Sequence, residues 1–196
     1  DVVDPGGLPG SVGVDSRLTI DHAPGEFVAF LAQGNILRCS AVTTSKRAHG
    51  IVGGFDPALR YVVDWDFWIR VAERFGVAWR GGPPTGSVRW HAASETHRFK
   101  ATLDDLEESE RMLARFPALD QRACRRKLGR AYLNRAYDAL HAGRIDLARE
   151  ALGRSIRLAP SLVAASLADP RLAARMGLLV LAPRLAARWC RTGPND

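Results

Sequence analysis

The spacing of hydrophobic residues changes near residue 100 of the chain. Before that point, short apolar runs are separated by turns rich in Gly and Pro, and after it apolar residues recur every three or four positions. Short runs between turn residues are typical of strands and short helices, whereas the longer repeat is typical of amphipathic helices. The pattern predicts an α/β region over residues 1–100 followed by an all-α helical region over residues 101–196.

The first region is predicted to form a layer of strands and helices. Residues 1–13 predict a strand end and a Gly/Pro turn, and Ser45 is a candidate N-cap for a short helix that ends near Ile51. Residues 63–75 carry an apolar stripe at helical spacing, which predicts a longer helix. The other elements predicted in this region are a helix over 24–33, a buried strand over 36–44, and strands over 77–79 and 87–90.

The second region is predicted to be helical throughout, with Pro or Gly at its breaks. Proline ends a helix because it lacks the amide proton, and glycine adopts turn conformations that other residues resist. The predicted order is a helix that ends at Pro117, a helix over 128–140, a turn at Gly143, a helix over 147–158, and an amphipathic helix over 172–189.

The turn at Gly143 has a further likeness. The motif HAGR at residues 141–144 and the run over residues 148–160 resemble one tetratricopeptide helical hairpin. A single hairpin cannot form a solenoid, because both of its apolar faces stay uncovered. We therefore expect this hairpin to pack on the first region or on a partner.

The composition is that of a folded globular chain, with 46% hydrophobic and 25% charged residues in a length of 196. The three cysteines lie far apart and lack metal-ligand spacing, so we expect free thiols and a reducing compartment. No secretory leader is visible at the start of the sequence, and the longest apolar run, residues 176–182, is too short to cross a bilayer. These features predict a cytoplasmic protein.

Positive charge is concentrated in the second region. Up to residue 103 the chain has 11 Lys and Arg against 10 Asp and Glu, and from residue 104 onward it has 17 against 11. A basic helical region can bind an anionic lipid surface or a nucleic acid. The alternative is a solvated face in a chain whose arginines greatly outnumber its lysines, and the sequence leaves both open.

The most informative stretch joins a Gly turn to an acidic helix start. Residues 53–57 read GGFDP, and residues 64–70 read DWDFWIR. Glycine permits a close backbone approach, and an acid in the first turn of a helix lies near the positive end of the helix dipole. The stretch predicts a carboxylate held in a fixed place beside a glycine-shaped opening.

Four short motifs follow one another over roughly residues 30–97. They are GN at 34–35 with SAVTTSKR at 40–47, VGGFD at 52–56, DWDFWIR at 64–70, and VRWH at 88–91 with Ser94 shortly after. In this order and spacing they resemble the C-terminal half of a family-2 glycosyltransferase of GT-A fold. The resemblance implies an inverting hexosyltransferase that moves a sugar from a nucleotide diphosphate to an acceptor hydroxyl, with Mn²⁺ or Mg²⁺ as cofactor.

The resemblance gives the two acids of the third motif different roles. Asp64 takes the position of the catalytic base that accepts the proton of the acceptor hydroxyl. Relatives often carry Glu directly before this base, whereas this chain carries Val63. Asp66 matches a second acidic position, expected to lie in the substrate site and to brace the helix start or a neighbouring arginine. The alternative is that both are helix-start acids with no chemical role.

Three further side chains belong to the implied site. His91 aligns with a histidine that touches the metal or the diphosphate in several relatives, and Arg89 beside it is expected to neutralise phosphate. Trp65 is expected to stack on an acceptor sugar, whereas Trp68 is expected to lie in the core. The alternative for His91 is that it closes the end of a strand.

The triplet over residues 64–66 also fits the Asp-x-Asp pattern that binds metal and nucleotide in relatives. In relatives that motif ends a strand ahead of the region matched here, so we do not assign the metal role to this triplet. Relatives carry the nucleotide-binding βαβ units ahead of the point where this sequence begins. We therefore expect a truncated glycosyltransferase-like protein that is not self-sufficient as a catalyst.

Two interpretations thus imply different partners. A transferase binds a nucleotide-sugar donor and a carbohydrate or lipid-linked acceptor. A helical interaction module without catalytic activity binds a protein or the anionic inner face of a membrane through its basic region. Nucleic acid is not a predicted partner, because the cations are dispersed and no reading motif accompanies them.

Overall fold

A computed structural model of the chain describes residues 2–3, 9–10, 19–81, 88–89, 99, 101–166 and 177. These residues are mostly helical. The chain divides into two compact units, residues 1–101 with 111–120 as unit 1, and residues 102–110 with 121–196 as unit 2.

Helices and short strands follow in a fixed order along the described residues. The helices are α1 Val28–Ala32, α2 Lys46–Val52, α3 Val63–Arg74, α4 Asp104–Leu113, α5 Gln121–His141, α6 Ile145–Leu158 and α7 Pro160–Ser166. The strands are β1 Val2–Val3, β2 Pro9–Gly10, β3 Thr19–His22, β4 Val77–Arg80 and β5 Val88–Arg89.

The strands of unit 1 form two small sheets. In one, β1 lies between β2 and β5, antiparallel to β2 and parallel to β5, with Val2 opposite both Gly10 and Val88. In the other, β3 and β4 are antiparallel, from Thr19 opposite Arg80 to His22 opposite Val77. The predicted strands near 77–79 and 87–90 therefore form, and within residues 1–13 the described strands β1 and β2 are antiparallel.

A glycine lets β3 approach the start of β4. A Cβ atom at Gly76 would lie 2.9 Å from the carbonyl oxygen of His22, closer than side chains pack against backbone. Any larger residue at this position would push the two strands apart.

Helix α3 lies at the centre of unit 1. It packs against both α1 and α2. Its apolar stripe forms because its aromatic and aliphatic residues recur at helical spacing. The buried hydrophobic residues of α3 are Trp65, Phe67, Trp68, Ile69 and Ala72. The helix predicted over residues 63–75 is confirmed, and Trp68 lies in the core as predicted.

The short helix α2 begins where its cap predicts. Ser45 has an extended backbone, and its hydroxyl oxygen accepts a hydrogen bond from the amide of Ala48 at 3.1 Å. This bond satisfies one of the amide groups that a helix start leaves without a partner.

The buried strand predicted over residues 36–44 is wrong. The side chain of Asn35 accepts a hydrogen bond from the amide of Leu37, and a single 3-10 turn spans Cys39–Ala41. Ile36 is 52% exposed, so the apolar residues of this segment do not enter the core. A strand also needs a paired neighbour, and no described strand pairs with this segment. The helix predicted over 24–33 is shorter than expected, because α1 begins only at Val28.

Unit 2 is all helical over its described residues, as predicted. Helices α5 and α6 form an antiparallel hairpin that turns at Gly143, whose φ is +67°, and α7 packs on both. Alanines at the centre of the hairpin are fully buried, which lets the two helices approach closely. The core contains Leu103, Tyr132, Leu133, Ala136, Ala139, Leu140, Ala148, Ala151, Leu152 and Val163.

Ion pairs surround this core in unit 2. Arg135 is almost buried, and its guanidinium bonds Asp105 at 2.9 Å and the carbonyl of Thr102. Arg154 pairs with Glu107, and Tyr132 donates a hydrogen bond to Glu110 at 3.4 Å. Burial raises the pKa of the Tyr132 phenol well above its ordinary value. These ion pairs and hydrogen bonds join the segment over residues 102–110 to the hairpin.

Two features of the helical region depart from the prediction or lie beyond it. Pro160 follows the end of α6 at Leu158, as predicted, and it is also the first residue of α7, a position where the missing amide proton costs nothing. The helix predicted over residues 172–189 lies outside the described residues apart from Gly177. Within the described part of the chain, no helix combines the length and the apolar character needed to cross a bilayer.

Candidate functional site

Asp64 lies in the first turn of α3, partly buried. One carboxylate oxygen, Oδ1, accepts a hydrogen bond from the amide of Trp65 at 2.8 Å. The other oxygen has no hydrogen bond within the described residues. A carboxylate anchored through one oxygen keeps the lone pairs of the other available as proton acceptors.

Trp65, next to Asp64, belongs to the core. Its side chain is 7% exposed, and its indole N–H donates a hydrogen bond to the carbonyl of Leu31 at 2.9 Å. This bond joins the start of α3 to the end of α1. The ring therefore offers little surface for the sugar stacking that the resemblance implies.

Asp66 is fully buried and bound to arginine. Its Oδ2 accepts a hydrogen bond from Nε of Arg70 at 2.8 Å, one helical turn later. The same guanidinium donates from Nη1 to the carbonyl of Val52 at 2.5 Å and from Nη2 to that of Gly54 at 2.8 Å. We call these contacts of Arg70 the arginine clasp. With no exposed surface, Asp66 braces a neighbouring arginine rather than contacting a substrate.

The clasp explains the glycine turn. Gly53 has φ +80°, the left-handed region that favours glycine, and it ends α2. A Cβ atom here would also lie 4.0 Å from Nη1 of Arg70, so the strain of this conformation is the main obstacle to a larger residue. The turn thus presents two carbonyl oxygens to one guanidinium, and α3 is fastened to the end of α2.

A second arginine binds the far side of the turn. Nη1 of Arg115 lies 2.9 Å from Oδ2 of Asp56 and 3.9 Å from Oδ1 of Asp66. The amide of Ala58 donates to the other oxygen of Asp56 at 2.9 Å. The amide of Ala58 and then the guanidinium of Arg115 hold the pKa of Asp56 below its usual 3.8. Two arginines therefore face two of the acids, whereas Asp64 has no ion pair with any residue that the structure describes.

Aromatic rings cover one side of the turn. The ring of Phe67 lies 4.7 Å from that of His49 and 5.1 Å from that of Phe55, in edge or tilted contacts. Phe67 is buried, whereas Phe55 is 48% exposed. The guanidinium of Arg70 lies 5.4 Å from the Phe67 ring. The turn is held by aromatic packing as well as by the clasp.

The remaining predicted site residues are only partly visible. Arg89 lies in β5, whose backbone pairs with β1, and the structure does not describe its side chain. His91 lies outside the described residues, so its metal role stays a prediction. Across the part of the chain that the structure describes, no three His, Cys, Asp or Glu side chains are grouped to hold a metal ion. Asp56 and Asp66 are already bound to arginine.

The local sequence indicated some of these contacts and not others. Asp66 and Arg70 stand four residues apart, the spacing at which helical side chains meet. Arg115 is 59 residues from Asp56, and nothing in the local pattern predicts that pair. The clasp to the carbonyls of Val52 and Gly54 also escaped prediction, because backbone acceptors leave no mark in the sequence.

Comparison with known proteins gave no match, whether to family models, to curated sequences or to solved structures. The assignment of function therefore depends on the residues and geometry of this chain.

Proposed function

We propose that this chain takes part in inverting sugar transfer from a nucleotide-sugar donor to an acceptor hydroxyl, with Asp64 as the catalytic base. The observation that carries the proposal is the environment of Asp64. Its carboxylate is fixed through one oxygen at the start of a well-packed helix, and its other oxygen is without a hydrogen bond in the described residues. The other two acids nearby serve as partners of arginine.

The chemistry requires such a group. A sugar hydroxyl is a weak nucleophile near neutral pH, so a carboxylate must take its proton as the oxygen attacks the anomeric carbon. The new bond forms on one face of the sugar while the bond to the diphosphate breaks on the other, and the diphosphate leaves with that bond's electron pair. Asp64 holds the proton at its free oxygen.

Rigid support for the base comes from its surroundings. Precise placement of a reacting group contributes to catalysis because it removes the entropy cost of finding the reactive arrangement. Trp65 anchors the helix start to α1, and the arginine clasp fastens the next turn to the glycine turn. Asp66 thus acts as a positioning residue for Asp64 in this proposal.

A GT-A-like layer is part of the same proposal. It is supported by the order of elements in unit 1, where a helix capped at Ser45, a glycine turn and a helix with acids in its first turn follow each other. The parallel pairing of β1 with β5 also supports it, since β5 carries the VR of the VRWH motif. A donor phosphate would be expected near Arg89 and a divalent cation near His91.

The carboxylates that the structure describes around Asp64 do not suit a divalent cation. Asp56 and Asp66 are both bound to guanidinium groups, which hold their oxygens and supply positive charge of their own. A divalent cation bound to this chain would therefore need ligands other than these two carboxylates.

The test uses the full chain with UDP-glucose, GDP-mannose and dTDP-rhamnose in turn, each with Mn²⁺. Binding is measured by calorimetry and turnover by release of the nucleoside diphosphate. Because the chain is not expected to be self-sufficient as a catalyst, we expect slow turnover, which Asp64→Asn should lower further by about 10²–10⁴-fold, the usual contribution of a general base, while donor binding is retained.

Asp146→Asn is the matched control. Asp146 is an exposed acid in the first turn of α6, so this variant makes the same change at another helix start. Turnover in this variant should match that of the unaltered chain. Full turnover in Asp64→Asn removes Asp64 from the mechanism. Neither binding nor turnover with any donor overturns the transferase proposal and favours the interaction module.

A further inference from the structure

The first half of α5 carries a dense group of positive charges. Residues 121–130 contain five cations and no acid. All five side chains are exposed, and we call them the basic face: Arg122, Arg125, Arg126, Lys127 and Arg130. Buried residues of the same helix, such as Cys124 and Leu128, lie on the side that packs into unit 2.

Helical geometry places these cations close together. Arg122, Arg126 and Arg130 stand four residues apart in succession, so they align along about 12 Å of the helix. Arg125 and Lys127 lie on opposite sides of this line, so the five cations cover about 200° of the helix circumference. Of the five, Arg125, Arg126, Lys127 and Arg130 have no ion pair or hydrogen bond within the described residues.

The local arrangement disfavours the helix. Like charges four residues apart repel each other, and cations lie poorly near the positive end of the helix dipole. The first turn of α5 holds no acid, and the nearest acid in the sequence is Asp120, directly before the helix. Elsewhere in unit 2, Arg135, Arg154 and Arg157 each have a carboxylate within 4 Å. A general surplus of arginine does not by itself account for four cations that lack a partner among the described residues and lie within ten residues of one helix.

An aromatic side chain extends this face. Tyr137 follows Arg130 by seven residues, two helical turns, and therefore lies on the same side of α5. It is 39% exposed, and its ring lies 4.3 Å from that of His141. Tyrosine settles at a membrane interface because its ring is apolar and its hydroxyl is polar.

We propose that the basic face of α5, extended by Tyr137, binds the headgroups of an anionic phospholipid bilayer. A group of four to eight cations on one helix face is sufficient for such a surface, and each contributes a similar electrostatic increment. Binding is reversible and falls as ionic strength rises, because salt screens the attraction. The inference does not depend on the sugar-transfer proposal, since none of these residues belongs to that site.

The experiment measures sedimentation of the full chain with vesicles of phosphatidylcholine alone and with phosphatidylglycerol added. We expect binding only to the anionic vesicles, weakening with added salt. The triple variant Arg125→Gln, Arg126→Gln and Arg130→Gln should bind about 100-fold more weakly, from three lost electrostatic increments. Arg122 stays unchanged in this variant because it makes other contacts.

A second triple variant removes the same number of positive charges from a different part of the chain. Arg38→Gln, Arg47→Gln and Arg74→Gln remove three exposed cations of unit 1, and binding should fall by less than about fivefold. Circular dichroism checks that both variants retain their helices. Three results overturn the proposal: no binding to anionic vesicles, equal losses in the two triples, or tighter binding to a DNA duplex than to the vesicles.

Discussion

Arginines in the two units occupy opposite environments. In unit 1, Arg70 places all of its guanidinium nitrogens on fixed acceptors: a buried carboxylate and two carbonyl oxygens of a glycine turn. In unit 2, Arg126 on α5 extends into solvent without an acceptor in the described residues. The first arrangement determines where a helix starts, and the second leaves a charge available to a partner. Arginine thus has a structural role where carboxylate and carbonyl acceptors surround it, and it is available to bind a partner where such acceptors are absent from the described residues.

Removing Arg70 should have the largest effect. Arg70→Met leaves the buried carboxylate of Asp66 without its main partner, and breaking such a pair costs about 3–5 kcal/mol of unfolding free energy. Arg126→Met should change that free energy by less than about 0.5 kcal/mol. Urea unfolding followed by circular dichroism measures both.

A double variant distinguishes two causes of the stability loss in Arg70→Met, the unpaired buried charge and the lost packing. Asp66→Leu with Arg70→Met replaces the pair by apolar side chains, so it should recover part of the stability lost in Arg70→Met. Equal losses in Arg70→Met and Arg126→Met would mean that the two arginines do not differ as described.

A buried and an exposed helix glycine of unit 2 should also respond differently to the same substitution. A Cβ atom at Gly129 would lie 2.6 Å from Cβ of Ala159, so Gly129→Ala overpacks the buried side of the helix. Overpacking costs about 1–3 kcal/mol, and the better helix propensity of alanine offsets up to about 1 kcal/mol of it. We expect a net loss of about 1–2 kcal/mol in urea unfolding.

Gly153→Ala is the matched control in α6. Nothing lies within 4 Å of a Cβ atom at Gly153, so the helix propensity acts alone and should stabilise the protein by about 0.5–1 kcal/mol. A loss in Gly153→Ala, or a gain in Gly129→Ala, would contradict the packing described for the hairpin.

Residue spacing predicted most of the helices and little of what joins them. Helices α3, α5 and α6 are visible in the sequence, because burial of one side of a helix makes apolar residues recur every three or four positions. Ser45 marks the start of α2 through a local hydrogen bond, and Gly143 marks a turn through its backbone conformation. Both signals act over only a few residues. Such signals need no knowledge of the rest of the chain.

Errors arose where an element depends on a distant neighbour. Apolar residues over 36–44 suit a strand, but the segment turns at Cys39–Ala41 and leaves Ile36 exposed. The candidate site shows the same limit. Asp64 and Asp66 stand out in the sequence, whereas Arg115, which binds Asp56, lies far away along the chain. Arg70 could be linked to Asp66 only because the two residues are four positions apart.

The smallest effect expected concerns Asp56, which is held by an arginine yet remains partly exposed. The amide of Ala58 and the guanidinium of Arg115 lower the pKa of Asp56 below 3.8, so the ionised form is favoured in the folded state. Its contribution to stability is therefore present above the pKa of the unfolded chain and lost as pH falls through the folded pKa. Asp56→Asn should reduce the fall in urea midpoint between about pH 5 and about pH 3. Arg115→Gln keeps the bond from Ala58 and should reduce that fall only in part. Parallel midpoint curves for the unaltered chain and Asp56→Asn would show that an exposed arginine partner contributes as little to stability as the exposed cations of α5.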